Sequence, residues 1–236
     1  MKCVGIIPAR YGSRRFPGKA LHLIDQKPLI QHTYENAHKC TMLDQIVIAT
    51  DDKRIQQVAK QFGAEVHMTS AKHRNGTERC AEVARSLSAD YLFNIQGDLA
   101  RFSCSHIEHL ITLCDRETEI ATILLESNVQ SEKEDPNIVK AVISQDRNAL
   151  YFSREAIPNN TGNLLASSFY KHVGIYAYRK DILLQVADLP PTPLERLESL
   201  EQLRWLESGY TIKTVICDEQ TISIDSKTDL EHLNVS

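Results

Sequence analysis

The sequence predicts an α/β fold built on a doubly wound, mainly parallel sheet. Three observations predict it. Short apolar runs, too short for helices, alternate four times with stretches of helical periodicity. The first run, residues 3–9, breaks at Pro8 into a loop with two glycines (Gly12, Gly18) and four cations (Arg10, Arg14, Arg15, Lys19). This loop, Asp51 and Asp98 each follow an apolar run directly, and such sheets bind ligands at the carboxyl ends of their strands.

The elements follow in order. Residues 3–9 read as a buried strand. Pro28 sits where a first helical turn begins, and Leu29, Ile30, Thr33, Tyr34 and Ala37 mark a helical stripe. Residues 45–50 read as a buried strand, with Asp51-Asp52 capping the helix behind it. Residues 64–69 form another strand, and 77–85 a helix with Thr77 as its N-cap. Residues 91–96 are a strand ending at Gly97-Asp98. Beyond it the pattern changes: 121–125, 139–143, 150–152 and 169–178 read as strands with fewer helices between, which predicts a mixed sheet. Residues 158–168 form a polar loop. Pro193 opens a helix through Glu207 whose stripe of Leu194, Leu197, Leu200, Leu203 and Leu206 reads as core. Residues 210–217 are a late strand, and Asp225 falls at the next strand-to-helix turn.

Bulk properties narrow the function. At 236 residues, 42% hydrophobic and 25% charged, the chain suits one large domain with an ordinary core. A net charge of −4 gives no bulk argument for nucleic-acid or membrane binding. Six cysteines lack Cys-x-x-Cys spacing and read as reduced thiols, which fits a cytoplasmic protein. No cationic stretch precedes an apolar region, so a cleaved signal peptide is not expected. No apolar run approaches the about 20 residues of a spanning helix. His106 and His109 lie three apart on a predicted helix without further ligands of metal spacing, which argues against zinc.

The chemistry lies in local constellations. A buried strand feeding a flexible basic loop is a way to hold a polyphosphate: glycines let backbone amides approach and cations supply countercharge. The loop matches neither Gly-x-x-x-x-Gly-Lys-Ser/Thr nor Gly-x-Gly-x-x-Gly, and a solvated basic turn is the plain alternative. Asp98 and Asp225, each behind apolar residues, suit magnesium held against phosphate oxygens; each also suits a helix cap. Residues 73–79 (His-Arg-Asn-Gly-Thr-Glu-Arg) lead into a helix N-terminus that, with Arg79, can receive an anion.

Taken together, residues 7–19 (Ile-Pro-Ala-Arg-Tyr-Gly-Ser-Arg-Arg-Phe-Pro-Gly-Lys), 49–51 (Ala-Thr-Asp), 75–79 (Asn-Gly-Thr-Glu-Arg), 94–98 (Asn-Ile-Gln-Gly-Asp), 149–154 (Ala-Leu-Tyr-Phe-Ser-Arg), 171–178 (Lys-His-Val-Gly-Ile-Tyr-Ala-Tyr) and 200–204 (Leu-Glu-Gln-Leu-Arg) resemble the 3-deoxy-manno-octulosonate cytidylyltransferase (CMP-Kdo synthetase) family, in order across nearly the whole chain. The resemblance implies a Rossmann-like, nucleotide-diphospho-sugar transferase type of sheet. It divides the chain into a CTP-binding part (1–118), a mixed sugar-binding and dimerisation part (119–209) and a return to the core (210–236). It implies attack of the anomeric hydroxyl of 3-deoxy-manno-octulosonate (Kdo) on the α-phosphate of CTP, as a homodimer in lipopolysaccharide synthesis.

The resemblance also assigns residues. Pro8, Ala9, Arg10, Arg15, Lys19, His73 and Gly76 would bind the nucleotide, and Arg79, Gln96, Arg154, His172, Tyr176, Glu201 and Gln202 would face the sugar acid. Asp98 and Asp225 would hold Mg2+, and these two with Arg10 and Lys19 would form the catalytic set. One departure stands out: the family follows Gln-Gly-Asp with Glu or another polar residue and then Pro, where this chain has Leu99-Ala100. Two alternatives accompany this reading: an 8-amino analogue of Kdo as acceptor, or a catalytically reduced nucleotide- or sugar-binding relative.

Overall fold

The computed structural model describes residues 1–12, 16–159, 168–224 and 229. The first half runs β1 (Cys3–Ala9), a 3-10 turn (Lys19–Leu21), β2 (Leu23–Ile24), β3 (Lys27–Pro28), α1 (Leu29–His38), β4 (Gln45–Thr50), α2 (Lys53–Gln61), β5 (Glu65–Met68), α3 (Gly76–Ala84) and β6 (Tyr91–Ile95). There follow β7 (Leu99–Arg101), α4 (Cys104–Leu113), β8 (Ile120–Ser127), α5 (Gln130–Glu134), β9 (Lys140–Ile143) and β10 (Ala149–Ser153). The chain continues with β11 (Phe169–Arg179), α6 (Lys180–Asp188), α7 (Pro193–Glu198), α8 (Gln202–Glu207), β12 (Ile212–Cys217) and β13 (Ile222–Ser223).

Four strands form the parallel half in the order β5-β4-β1-β6. β1 lies inside it and is buried along its whole length. Alternate residues serve two apolar layers: Cys3, Ile7 and Ala9 join one, Val4 and Ile6 the other. A sheet covered on both faces needs both sets apolar, which is why β1 reads as a continuous run rather than as alternation.

The second half is mixed because of β11, which runs antiparallel to β6 through Ile175–Arg179. β8 follows the opposite edge of β11 with a register shift between Val173 and Tyr176. Before that shift, Tyr170 and Lys171 pair with β9 instead of β6. The start of β11 thus pairs with β9 and its later part with β6. β12 closes the sheet beside β8.

Two local expectations are corrected, and the Leu99-Ala100 departure finds its place. The helix read over 193–207 is two helices, α7 and α8. Ser199 adopts a left-handed conformation (φ 55°) that ends α7 and changes the phase of the stripe. Leu200 and Leu203 therefore reach the core, whereas Leu197 is 81% exposed. The N-cap of α3 is Asn75, whose Oδ1 accepts from the Glu78 amide at 2.9 Å; Thr77 sits within the first turn. Finally, Leu99-Ala100 is part of a strand: β7 pairs antiparallel with β13, and Ala100 packs with Phe16, Ile24, Leu29 and Ile224.

Candidate active site

The site begins where β1 and β6 end. Pro8 and Gly97 touch there: a Cβ on Gly97 would lie 2.7 Å from the Pro8 carbonyl oxygen, closer than real contacts allow. Only glycine lets these strand ends meet. The start of α3 joins them, because a Cβ on Gly76 would stand 3.2 Å from Pro8 Cγ and 3.3 Å from the Gln96 amide. Residues from three distant parts of the sequence thus meet at the carboxyl end of the parallel strands.

The basic loop leaves from the same point. Its neck is closed by a hydrogen bond from the Gly18 amide to the Tyr11 carbonyl at 2.8 Å, and Gly18 turns the chain at φ 75°. Arg54 stacks on the Tyr11 ring at 3.3 Å. Past the neck, Lys19 Nζ donates to Asp98 Oδ2 at 2.7 Å, with both side chains partly buried. Arg10 is exposed at the end of β1. Arg15 and Asp225 lie outside the described residues. The chain reaches 225 from Ile224, whose amide donates to the Asp98 carbonyl at 2.9 Å. Leu99-Ala100 maintains this arrangement through apolar packing and the pairing of β7 with β13.

Arg79 and His73 are held by other partners. Arg79 is 3% exposed; one guanidinium nitrogen donates to Thr69 Oγ1 and the other stands 3.3 Å from Asp51 Oδ1. Burial, with Arg10 nearby, lowers the Arg79 pKa from its ordinary value. The His73 imidazole bonds Glu82 and stands 3.8 Å from Glu78, both on α3. It lines a cleft of about 300 Å³ with Arg74, Glu78, Ala81, Arg85, Ala187 and Asp188. Gly76, not His73, meets Pro8 and Gln96.

The remaining residues lie on β11, on β6 and on the segments near them. Gly174, at the bend, brings Gln96 close: its missing Cβ would be 3.4 Å from Gln96 Cγ. The Thr122 hydroxyl donates to the Ile175 carbonyl at 2.8 Å and so accepts from His172 Nε2 at 3.1 Å. That assigns the tautomer with Nδ1 as an acceptor. Burial pushes His172 down to about 3, so the ring is neutral at physiological pH. Its neighbours are Phe152 and Tyr176, and Tyr176 packs edge-on against Trp205. Arg154 is tethered by Nε to the Glu198 carbonyl (3.1 Å) and by Nη1 to the Pro136 carbonyl (2.9 Å). Glu201 accepts from Asn75, Thr77 and Arg204, and Gln202 beside it is 5% exposed.

Several polar residues here were not singled out in the sequence. Asn94, Thr122 and Tyr178 lie on apolar-looking strands, and Arg204 follows a leucine, so each reads locally as strand filling or helix surface. Asn94 Nδ2, Tyr178 Oη and Trp205 Nε1 are buried with no hydrogen-bond partner among the described residues.

The chain matches the family model for cytidylyltransferases over residues 4–215. It is 43% identical to the 3-deoxy-manno-octulosonate cytidylyltransferase of Geobacter metallireducens, over 98% of this chain and 96% of the relative. It is 44% identical to the protein of the same name from Parabacteroides distasonis, with the same coverage. A solved CMP:2-keto-3-deoxy-manno-octonic acid synthetase complexed with CTP superimposes with a TM-score of 0.93 at 39% identity, covering 100% of this chain and 98% of that one.

Proposed function

We propose, for a chain that belongs to the 3-deoxy-manno-octulosonate cytidylyltransferase family, that it transfers the CMP unit of CTP to the anomeric hydroxyl of Kdo and releases pyrophosphate. The observation that carries this reading is the Lys19–Asp98 pair at the carboxyl end of β6, beside a basic loop that leaves β1 at the same point. In-line displacement at phosphorus needs positioning and neutralisation of charge on phosphate oxygens more than it needs covalent chemistry. Arg10, Arg15 and Lys19 supply countercharge to the triphosphate. Pro8, Ala9 and Gly76 form a tight wall for the nucleoside, with His73 three positions before Gly76.

The sugar acid lies beside Gln96. Arg154, whose Nη2 makes no hydrogen bond among the described residues, is the cation for its carboxylate, since Arg79 is committed to Asp51 and Thr69. Neutral His172 offers Nδ1 to a sugar hydroxyl. Tyr176, Glu201 and Gln202 complete the wall.

The donor chemistry fits magnesium. Asp98 presents a carboxylate at 27% exposure, and magnesium takes one or two carboxylates with phosphates and water. Asp98 and Asp225 would hold it. When bound, magnesium neutralises phosphate charge and makes the attacking hydroxyl more acidic. Lys19, already on Asp98, orients that carboxylate and moves to phosphate when nucleotide enters.

The protein acts in the cytoplasm as a homodimer. Free cysteines support the first, and no described helix is long and apolar enough to cross a membrane. Leu150 and Leu197, 60% and 81% exposed on β10 and α7, support a self-association surface. The test of function is pyrophosphate release from CTP and magnesium with Kdo, with its 8-amino analogue, and with neither. Kdo-dependent release is expected; release without sugar, or none at all, contradicts the reading.

A further inference from the structure

Glu201 begins the first turn of α8, in the sugar-side half, yet two of its three hydrogen-bond donors come from the start of α3 in the nucleotide-side half. Asn75 Nδ2 reaches Oε1 at 2.7 Å and Thr77 Oγ1 reaches Oε2 at 2.8 Å. The third donor is Arg204 Nη2 at 2.6 Å on Oε1. Arg204 is itself fully buried; it donates to the Leu189 carbonyl at 2.8 Å and stands 3.3 Å from Glu195. The two helices contribute to one apolar core cluster, but their chief neighbours differ. α3 packs chiefly on α6 and the parallel strands, α8 on α7 and β10. The carboxylate is therefore the polar joint between them.

The joint adjoins both substrates' places. Asn75 and Thr77 flank Gly76, which touches Pro8 and Gln96. Glu201 precedes Gln202, a residue that is 5% exposed. Burial pushes Glu201 up to about 7 against the pull of its donors. A carboxylate this desolvated holds its place through all its donors together, so losing one loosens the turn that aims Gln202.

We propose that Asn75 and Thr77 are positioning residues for the sugar acid: acting through Glu201, they fix the first turn of α8 against the nucleotide-side helix. This rests on the reading of Kdo as acceptor. Thr77 thus lies on the nucleotide-side helix but governs the sugar through Glu201.

The experiment measures pyrophosphate release while CTP and Kdo are varied separately, for the wild type, Thr77→Val, Thr77→Ser and Asn75→Ser. Valine keeps the shape of threonine without the hydroxyl; serine at 75 still caps α3 but is too short to reach Glu201. For Thr77→Val and Asn75→Ser, the KM for Kdo rises about tenfold, the effect of one lost hydrogen bond to a charged group. The KM for CTP stays within about twofold, and Thr77→Ser matches the wild type. Equal shifts in both KM values, no shift, or a Thr77→Ser variant as impaired as Thr77→Val would overturn the joint's role. Kdo-dependent release by the wild type separately decides the acceptor; its absence overturns that reading and, with it, the sugar-side role.

Discussion

The nucleotide side and the sugar side of the pocket are built from different materials. On the nucleotide side the ends of β1 and β6 meet by backbone contact, with Gly97 against the Pro8 carbonyl and Gly76 against Pro8. On the sugar side polar side chains do the holding: Thr122 on His172, the Glu198 carboxylate on the Arg154 amide, and Asn75, Thr77 and Arg204 on Glu201. Shape on the first side depends on residues that are small. On the second it depends on hydrogen bonds that must all be made, because an unpartnered buried polar group costs about 1–3 kcal/mol.

This contrast can be broken or sharpened by experiment, beginning with the largest effect. Asp98→Ala removes the carboxylate that Lys19 holds, and turnover falls about a thousandfold. Circular dichroism and the thermal midpoint stay close to wild type, because Asp98 is not a core residue. Near-normal turnover would remove it from the mechanism.

Gly97→Ala tests the backbone contact. The added methyl meets the Pro8 carbonyl at 2.7 Å, so the strand ends must separate, and kcat/KM falls about a hundredfold, as for a ~1 Å misplacement. If the variant is as active as wild type, the close approach is not what shapes the nucleotide side.

The split between α7 and α8 is tested by stability. Leu203→Ala, in the core, costs about 2–5 kcal/mol in denaturant unfolding. Leu197→Ala, at an exposed position, changes stability by less than about 0.5 kcal/mol in the monomer. Similar costs at both sites would restore the continuous helix.

The smallest effect is in pH dependence. His172 has a folded-state value near 3, below the ordinary value of 6.5, so the unfolded chain binds the extra proton between those limits. Its contribution to stability is present above about 6.5 and is lost as pH falls toward 3. Glu201, raised to about 7 from 4.5, has the opposite sign: its contribution is full below 4.5 and is lost as pH rises through 7. Thermal midpoints of His172→Asn should therefore gain on wild type as pH drops from 6.5 to 4.5. A constant difference across that range would show that the imidazole is not buried neutral.

The two sides also differed in how far the sequence could be read. The strand, loop and Asp98 of the nucleotide side are short segments whose chemistry is written in consecutive residues. The long strand 169–179 was legible, but its bend was not, because a register shift depends on which neighbours it has. Likewise, the stripe of leucines read as one helix until Ser199 was seen in a left-handed turn, which the pattern of residue types does not encode. Arg79 illustrates the same limit: beside a helix start it reads as an anion receptor, yet Asp51, 28 positions earlier, meets it across the end of the parallel sheet.

The sequence by itself determined the alternation that makes a doubly wound sheet, the phosphate-type loop and the set of motifs that place the chain in its family. These depend on local periodicity and on residues a few positions apart, where chain connectivity guarantees proximity. Only the tertiary structure decided which cations are spoken for, which carboxylate joins the halves and how Leu99-Ala100 is accommodated. Those outcomes depend on partners brought together by folding, up to 126 positions apart for Asn75 and Glu201, and on burial, which sets the strength of each charge once water is excluded.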